Sequence, residues 1–240
     1  MHDTGKKNSE TTKGVSLLTG DPKKAIVRLS IPMIAAMLLL STYNLADAVW
    51  VAGLGSDALA AVGFMTPIFM VLSGLAVGLG AGVSSAIARR VGAGDRAGAD
   101  NTAVHAVLLA LGLAAILTIP LILLAGPVAA LLGAGEISGL AAEYGQTLFA
   151  GTVFVLFTNI AYAVLRAEGD TKRTMYAMGA SSVLNIVLDP VFIYGAGMGV
   201  AGAALATVIS IAAVSAVLVF WFLVKKDTYV SLSRERFSPD

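Results

Sequence analysis

Residues 106–125 read AVLLALGLAAILTIPLILLA, twenty consecutive positions without a charged side chain. A helix rises 1.5 Å per residue, so such a run extends about 30 Å, the thickness of a bilayer's hydrocarbon layer. Basic residues stand on one side of it only. Arg89, Arg90 and Arg96 precede the run, whereas the connection after it carries Glu136 and Glu143 and no Lys or Arg. Extended in both directions, the same reading places helices near 25–51, 59–88, 101–125, 139–166, 173–194 and 199–224. Residues 23–225 then form a six-helix transmembrane lobe, with polar, solvated tails expected at 1–22 and 226–240.

All sixteen Lys and Arg residues fall on one side of this map. Lys6, Lys7, Lys13, Lys23, Lys24 and Arg28 precede the first span, and Lys225, Lys226, Arg234 and Arg236 follow the last. The rest occupy the second connection (Arg89, Arg90, Arg96) and the fourth (Arg166, Lys172, Arg173). The positive-inside rule converts that partition into a topology with both termini cytoplasmic. The expected fold class is therefore an all-α polytopic membrane protein, a six-transmembrane-helix bundle with both termini on the cytoplasmic side. A composition of 57% hydrophobic and 13% charged residues excludes an ordinary soluble domain. With a net charge of +1, the basic clusters are a topological signal and not a footprint for nucleic acid. There is no Cys, hence no disulfide or thiolate metal site. The polar residues 1–22 do not read as a cleavable signal peptide.

Small residues punctuate the spans. Gly74, Gly78 and Gly82 on the second helix, and Gly202, Ala206 and Ser210 on the sixth, recur at spacing four. Such ladders let helix backbones approach closely where lipid gives no hydrophobic drive, so packing is their expected role. Pro32 removes a backbone bond near the start of helix one and is expected to bend it.

Asp47 on helix one and Asp189 on helix five are the carboxylates this map places inside spans. A charge at membrane depth costs roughly 2.5–3.5 kcal/mol on insertion scales, which makes both functional candidates. Asp47 lies nineteen residues past Arg28 and Asp189 sixteen past Arg173. At 1.5 Å per residue they stand about 28 and 24 Å along their helices, near one level in the outer half. Thr207 reaches the same layer, as do Tyr144 and Gln146 on helix four. Asn185 stands one turn from Asp189, and Tyr43 one turn from Asp47. No basic residue shares that depth. Two desolvated carboxylates without a counter-charge favour taking up a proton or a cation, as one coupled unit. Oxygen donors from Asp47, Asn185, Asp189 and Thr207 suit either Na⁺ or H⁺, and no other metal or cofactor is expected.

Three stretches carry a family resemblance: Asn44-Leu-Ala-Asp47-Ala-Val-Trp-Val-Ala-Gly-Leu-Gly55-Ser-Asp-Ala-Leu-Ala-Ala61, Arg166-Ala-Glu-Gly-Asp170-Thr-Lys-Arg173 and Asn185-Ile-Val-Leu-Asp189-Pro-Val-Phe-Ile-Tyr-Gly195. In order and spacing they resemble the multidrug and toxic compound extrusion (MATE) transporters, in the prokaryotic branch with archaeal and DinF-like members. The resemblance covers about residues 24–225. It implies an antiporter that exports small organic compounds, often cationic or amphipathic, against inward Na⁺ or H⁺. It also implies that Asp47, Asn185, Asp189 and Thr207 form a cation network, that Tyr144 lines a cavity, and that helix one bends at Pro32. The family has twelve helices in two lobes, and this chain resembles the first lobe alone. A second six-helix lobe is then expected from a missing C-terminal half, a separate chain or a second copy.

Other classes fit less well. Gly92-Ala-Gly-Asp95 spells the tetrapeptide of intramembrane aspartyl proteases, but Asp95 sits in a basic connection, away from the depth of the other carboxylates. A flippase for lipids or lipid-linked oligosaccharides would hold pyrophosphate with basic residues at membrane depth, and this lobe has none there. A non-transporting partner subunit is the remaining alternative.

Overall fold

In a computed structural model the chain is described over residues 12–18, 20–225 and 228–230. It contains a short helix α1 (Lys13–Leu18) and then α2 (Pro22–Ala52), α3 (Ser56–Gly92), α4 (Arg96–Leu131), α5 (Ser138–Ala150), α6 (Thr152–Ala167), α7 (Thr171–Pro190) and α8 (Gly199–Phe220). Among the described residues five helices are long and apolar enough to cross a membrane, and α5 with α6, bent by 47° at their break, passes the same test as a pair.

Helix starts follow from local chemistry. Asp21 caps α2 by accepting from Lys23 N at 2.9 Å, with Pro22 at the first helical position where its missing N–H costs nothing. Gly94-Asp95 and Gly169-Asp170 are two copies of one device at the basic end of the lobe. Each glycine takes a positive φ (74° and 79°) that turns the chain back. Each aspartate then caps the following helix, Asp95 accepting from Gly98 N (2.9 Å) and Asp170 from Arg173 N (3.1 Å).

Helix α2 packs mainly on α7, α3 on α6, α4 on α5, and α7 on α8. The core is built from small residues, among them Ala61, Ala103, Ala163, Ala203 and Ala206, all fully buried. Large apolar side chains such as Leu38, Val71, Ile116 and Leu123 point outward, the reverse of a soluble bundle. Glycines mark the closest approaches. A Cβ at Gly202 would stand 2.7 Å from the backbone carbonyl carbon of Phe192, and one at Gly151 would stand 2.7 Å from Val208 Cγ2.

Several expectations are corrected. The fourth span is not one straight helix but breaks at Gly151, where the chain passes against α8. Helix α2 continues from Pro22 to Ala52 with Pro32 inside it. The fifth and sixth spans end in π-helical turns, Val191–Gly195 and Trp221–Lys225. The tails are not wholly solvated: Val15 on α1 joins the core, and Thr228, Tyr229 and Val230 are buried. The rest of both tails lies outside the described residues. The two small-residue ladders also part company. Gly202, Ala206 and Ser210 face the interior, whereas a Cβ at Gly74, Gly78 or Gly82 would meet nothing within 4 Å.

Gly202→Val should therefore lower the thermal midpoint in detergent by an amount equivalent to about 1–3 kcal/mol of overpacking. Gly74→Ala should leave the midpoint unchanged or slightly higher. Equal midpoints for Gly202→Val and the parent chain would contradict the close approach of α8 to Phe192.

Candidate functional site

Three helices meet where the buried acid lies. Asn185 and Asp189, one turn apart on α7, are 2% and 0% exposed, and Thr207 of α8 faces them at 7%. Tyr43 and Asp47, one turn apart on α2, close the side of the site and are half-buried. Satisfying both ends of the Asn185 amide orients it so that its nitrogen donates to Asp189 Oδ2 (2.9 Å) and its oxygen accepts from Thr207 Oγ1 (3.2 Å). The Tyr43 hydroxyl lies 3.4 Å from Thr207 Oγ1 and can donate to it. The result is a file of hydrogen bonds from α2 through α8 to the α7 carboxylate.

Asp189 is left with one buried oxygen, Oδ1, that has no hydrogen-bond partner among the described residues. A buried carboxylate oxygen without a partner is costly and calls for a cation or a proton. Asp47 makes no hydrogen bond among the described residues and is close enough to Asp189 for their charges to interact. Oxygens from Asp189, Asn185, Thr207 and Asp47 form a hard donor set that suits an alkali cation. Among the described residues no group of three His, Cys, Asp or Glu side chains could hold another metal. Above the site the helix ends are pinned. The Tyr194 hydroxyl donates to Trp50 O at 2.6 Å, and the two rings meet edge-on with centroids 6.2 Å apart.

Tyr144 is buried on α5 and near enough to Asp47, Tyr43 and Asp189 to sense their charge. Gln146 does not join the site: two residues on, it lies about 200° around the helix from Tyr144 and is exposed. Pro32 lies toward the opposite, basic end of α2, away from this cluster. Asn159 bonds within its own helix, to Val155 O at 2.9 Å, in keeping with a packing role.

Two acids escaped the sequence reading. Asp100, on the map within a connection, is 1% exposed in the second turn of α4. Glu168, between α6 and α7, is equally buried, and its Oε2 accepts from Val230 N at 3.0 Å. Burial raises its carboxyl from the ordinary value near 4.5 to about 7, partly offset by the Val230 bond. Arg96 holds the same segment, donating from Nε to Tyr229 O (3.0 Å) with its guanidinium 5.2 Å from the Tyr229 ring centre. The only hint in the sequence was an acid placed just before a Gly-Asp turn in an otherwise basic link.

Residues 32–191 match the MatE family. The chain belongs to that family. An FAD transporter from Shewanella oneidensis is 31% identical over 199 residues, covering 81% of this chain and 44% of the relative. The multidrug export protein MepA of Staphylococcus aureus is 34% identical over 209 residues, covering 85% of this chain and 46% of its own length. Among solved structures, a MOP superfamily transporter from Pyrococcus furiosus superposes with a TM-score of 0.93 at 52% identity, over 96% of this chain and 51% of that one. The chain thus spans about half the length of the relatives it matches. The fold is that of one lobe of a MATE-type transporter, multi-pass and all-helical. The named relatives are transporters and not enzymes, which sets the protease reading aside.

The raised value at Glu168 gives a signed expectation. The docked arrangement binds the Glu168 proton more tightly than a free carboxyl does, so docking of 228–230 is strongest below about pH 4.5 and weakens as pH rises through about 7. With Trp50 and Trp221 changed to Phe, a Tyr229→Trp reporter should shift its emission to the red over that interval. Glu168→Gln should flatten the profile. A profile that persists in Glu168→Gln would assign the titration to another group.

Proposed function

We propose that this chain forms one lobe of a secondary antiporter that exports organic compounds in exchange for inward Na⁺ or H⁺. The observation that carries the reading is Asp189: fully buried, with one oxygen unpartnered, hydrogen-bonded through Asn185 to Thr207 and within electrostatic reach of Asp47. Such a pair favours occupancy by a cation or a proton, because two bare charges at membrane depth are costly. Asp189, Asn185, Thr207 and Asp47 would supply the ligands, and Tyr43 would tie Thr207 to α2. Filling and emptying the site changes what the hydrogen-bonded file can donate and accept, so α2 can prefer different positions in the two states. Tyr144, buried on α5 nearby, would line the substrate cavity that the family resemblance implies.

The partition of basic residues supports cytoplasmic termini and carboxylates in the outer half of the membrane, and the bacterial and archaeal sources of the relatives support the plasma membrane of a prokaryote. Names among the relatives, FAD transporter and multidrug export protein, support organic compounds as the exported class. Alternating access needs an opposing lobe, supplied by a longer form of the protein, a separate chain or a second copy. The open face at Gly74, Gly78 and Gly82 would let another helix approach closely.

With both lobes present in proteoliposomes, Asp47→Asn and Asp189→Asn should each reduce ion-driven dye efflux at least tenfold while leaving insertion intact. Thr207→Ala should reduce it less, since one neutral ligand is lost. Wild-type efflux from either Asn variant would remove that residue from coupling.

The orientation has its own check. An impermeant thiol reagent should label a cysteine at Ser56, exposed at the acidic end, from outside intact cells. A cysteine at Lys172, exposed at the basic end, should react only after permeabilisation. Labelling of the Lys172 position from outside would invert the topology.

A further inference from the structure

At the basic end, far from the carboxylate site, the structure encloses a second feature. A cavity of about 960 Å³ opens between α1, the first turns of α2 and the link joining α6 to α7. Its wall divides by chemistry. Leu17, Leu29, Ile31 and Pro32 form an apolar side, continuous with the exposed apolar surface of α2 at Ile26, Val27 and Ile34. Arg28 of α2 and Lys172 of α7 form a cationic side, contributed by two different helices.

The charge balance of the wall is positive. Asp170 is engaged, accepting from Arg173 N at 3.1 Å and pairing with Arg173 Nε at 3.2 Å. Glu168 is turned inward, 1% exposed, and accepts from Val230 N. Arg28 and Lys172 are both exposed, and among the described residues neither reaches a carboxylate within ion-pair distance. Two uncompensated cations therefore flank a volume large enough for a headgroup, at the level where the apolar belt of α2 begins. Fixed cations exclude an organic cation from this place. An apolar wall is of no use to a fully hydrated ion. An amphiphile with an anionic head satisfies both sides, because its phosphate meets the cations while its chains continue along α2 into the bilayer.

We infer that this cavity is a binding site for an anionic phospholipid, with the phosphate held between Arg28 and Lys172 and the glycerol end against Leu17, Leu29, Ile31 and Pro32. The lipid bridges α2 to the α6–α7 link, so its binding stabilises the lobe. The site is independent of ion coupling and its test reads binding alone.

The purified full-length chain in a mild neutral detergent would be titrated with phosphatidylglycerol, phosphatidylcholine or inorganic phosphate. Native mass spectrometry would count bound lipid, and the thermal midpoint would be followed in parallel. Phosphatidylglycerol should be retained at one molecule per chain with a raised midpoint, and phosphatidylcholine should bind at least tenfold more weakly. The Arg28→Gln/Lys172→Gln double variant should lose phosphatidylglycerol affinity at least tenfold. Arg28→Lys/Lys172→Arg, which keeps both charges, should retain it, and this separates lost recognition from misfolding. Arg89→Gln, at the same end but outside the cavity, should also retain it. Unchanged phosphatidylglycerol binding in the Gln double variant, or equal binding of both lipids, overturns the assignment. If millimolar inorganic phosphate reproduces the full midpoint shift and displaces the lipid, the site is one for free phosphate and the lipid assignment is wrong.

Discussion

Hydrocarbon supplies no hydrogen bonds, and that constraint governs the architecture around Asp189. A carboxyl group with no exposure must be satisfied by its neighbours, and three helices converge to do so. Asn185 comes from the turn before it and Thr207 from α8, while Tyr43 of α2 completes the file at Thr207. One oxygen of Asp189 has no hydrogen-bond partner among the described residues, and the proposed ion or proton site rests on that oxygen.

Bringing three polar helices together requires backbones to approach where lipid gives no reason for association. Glycine permits it. Gly202 lets α8 lie against the π-helical turn that follows Asp189-Pro190, and Gly151 lets the break between α5 and α6 lie against Val208. Thr207 and Val208 are adjacent on α8, so the two contacts bracket the residue that joins the site together. The ladder at Gly74, Gly78 and Gly82 differs: a Cβ there would meet nothing within 4 Å among the described residues, so no close approach calls for glycine at those positions.

The two ends of the lobe differ in chemistry. The acidic end is closed by aromatic contact, Tyr194 on Trp50. The basic end is organised by Gly-Asp turns, by α1 and by the segment 228–230, which is held by Glu168 and Arg96. The cavity lined by Arg28 and Lys172 opens at that end. The lobe thus carries polar chemistry in two layers, one in the membrane around carboxylates and one at the interface around cations.

Spans were legible from composition, because the cost of charge in hydrocarbon leaves long apolar runs; the sidedness of the basic residues stands as an expectation from the same cost. Axial position was legible too: a fixed rise per residue places Tyr43, Asp47, Asn185, Asp189 and Thr207 in one layer without knowledge of any neighbour. Rotation about each helix axis was not. Distance along a helix gives depth and not facing, so Tyr144 and Gln146 looked equivalent although one is buried and the other exposed. For the same reason the two glycine ladders could not be told apart until their neighbours were in place. The break at Gly151, the docking of 228–230 and the burial of Glu168 and Asp100 depend on contacts between residues far apart in the chain. Sequence determined which residues could share a depth, because depth follows from distance along a helix. Tertiary structure alone decided which of them meet, because that depends on how each helix is turned toward its neighbours.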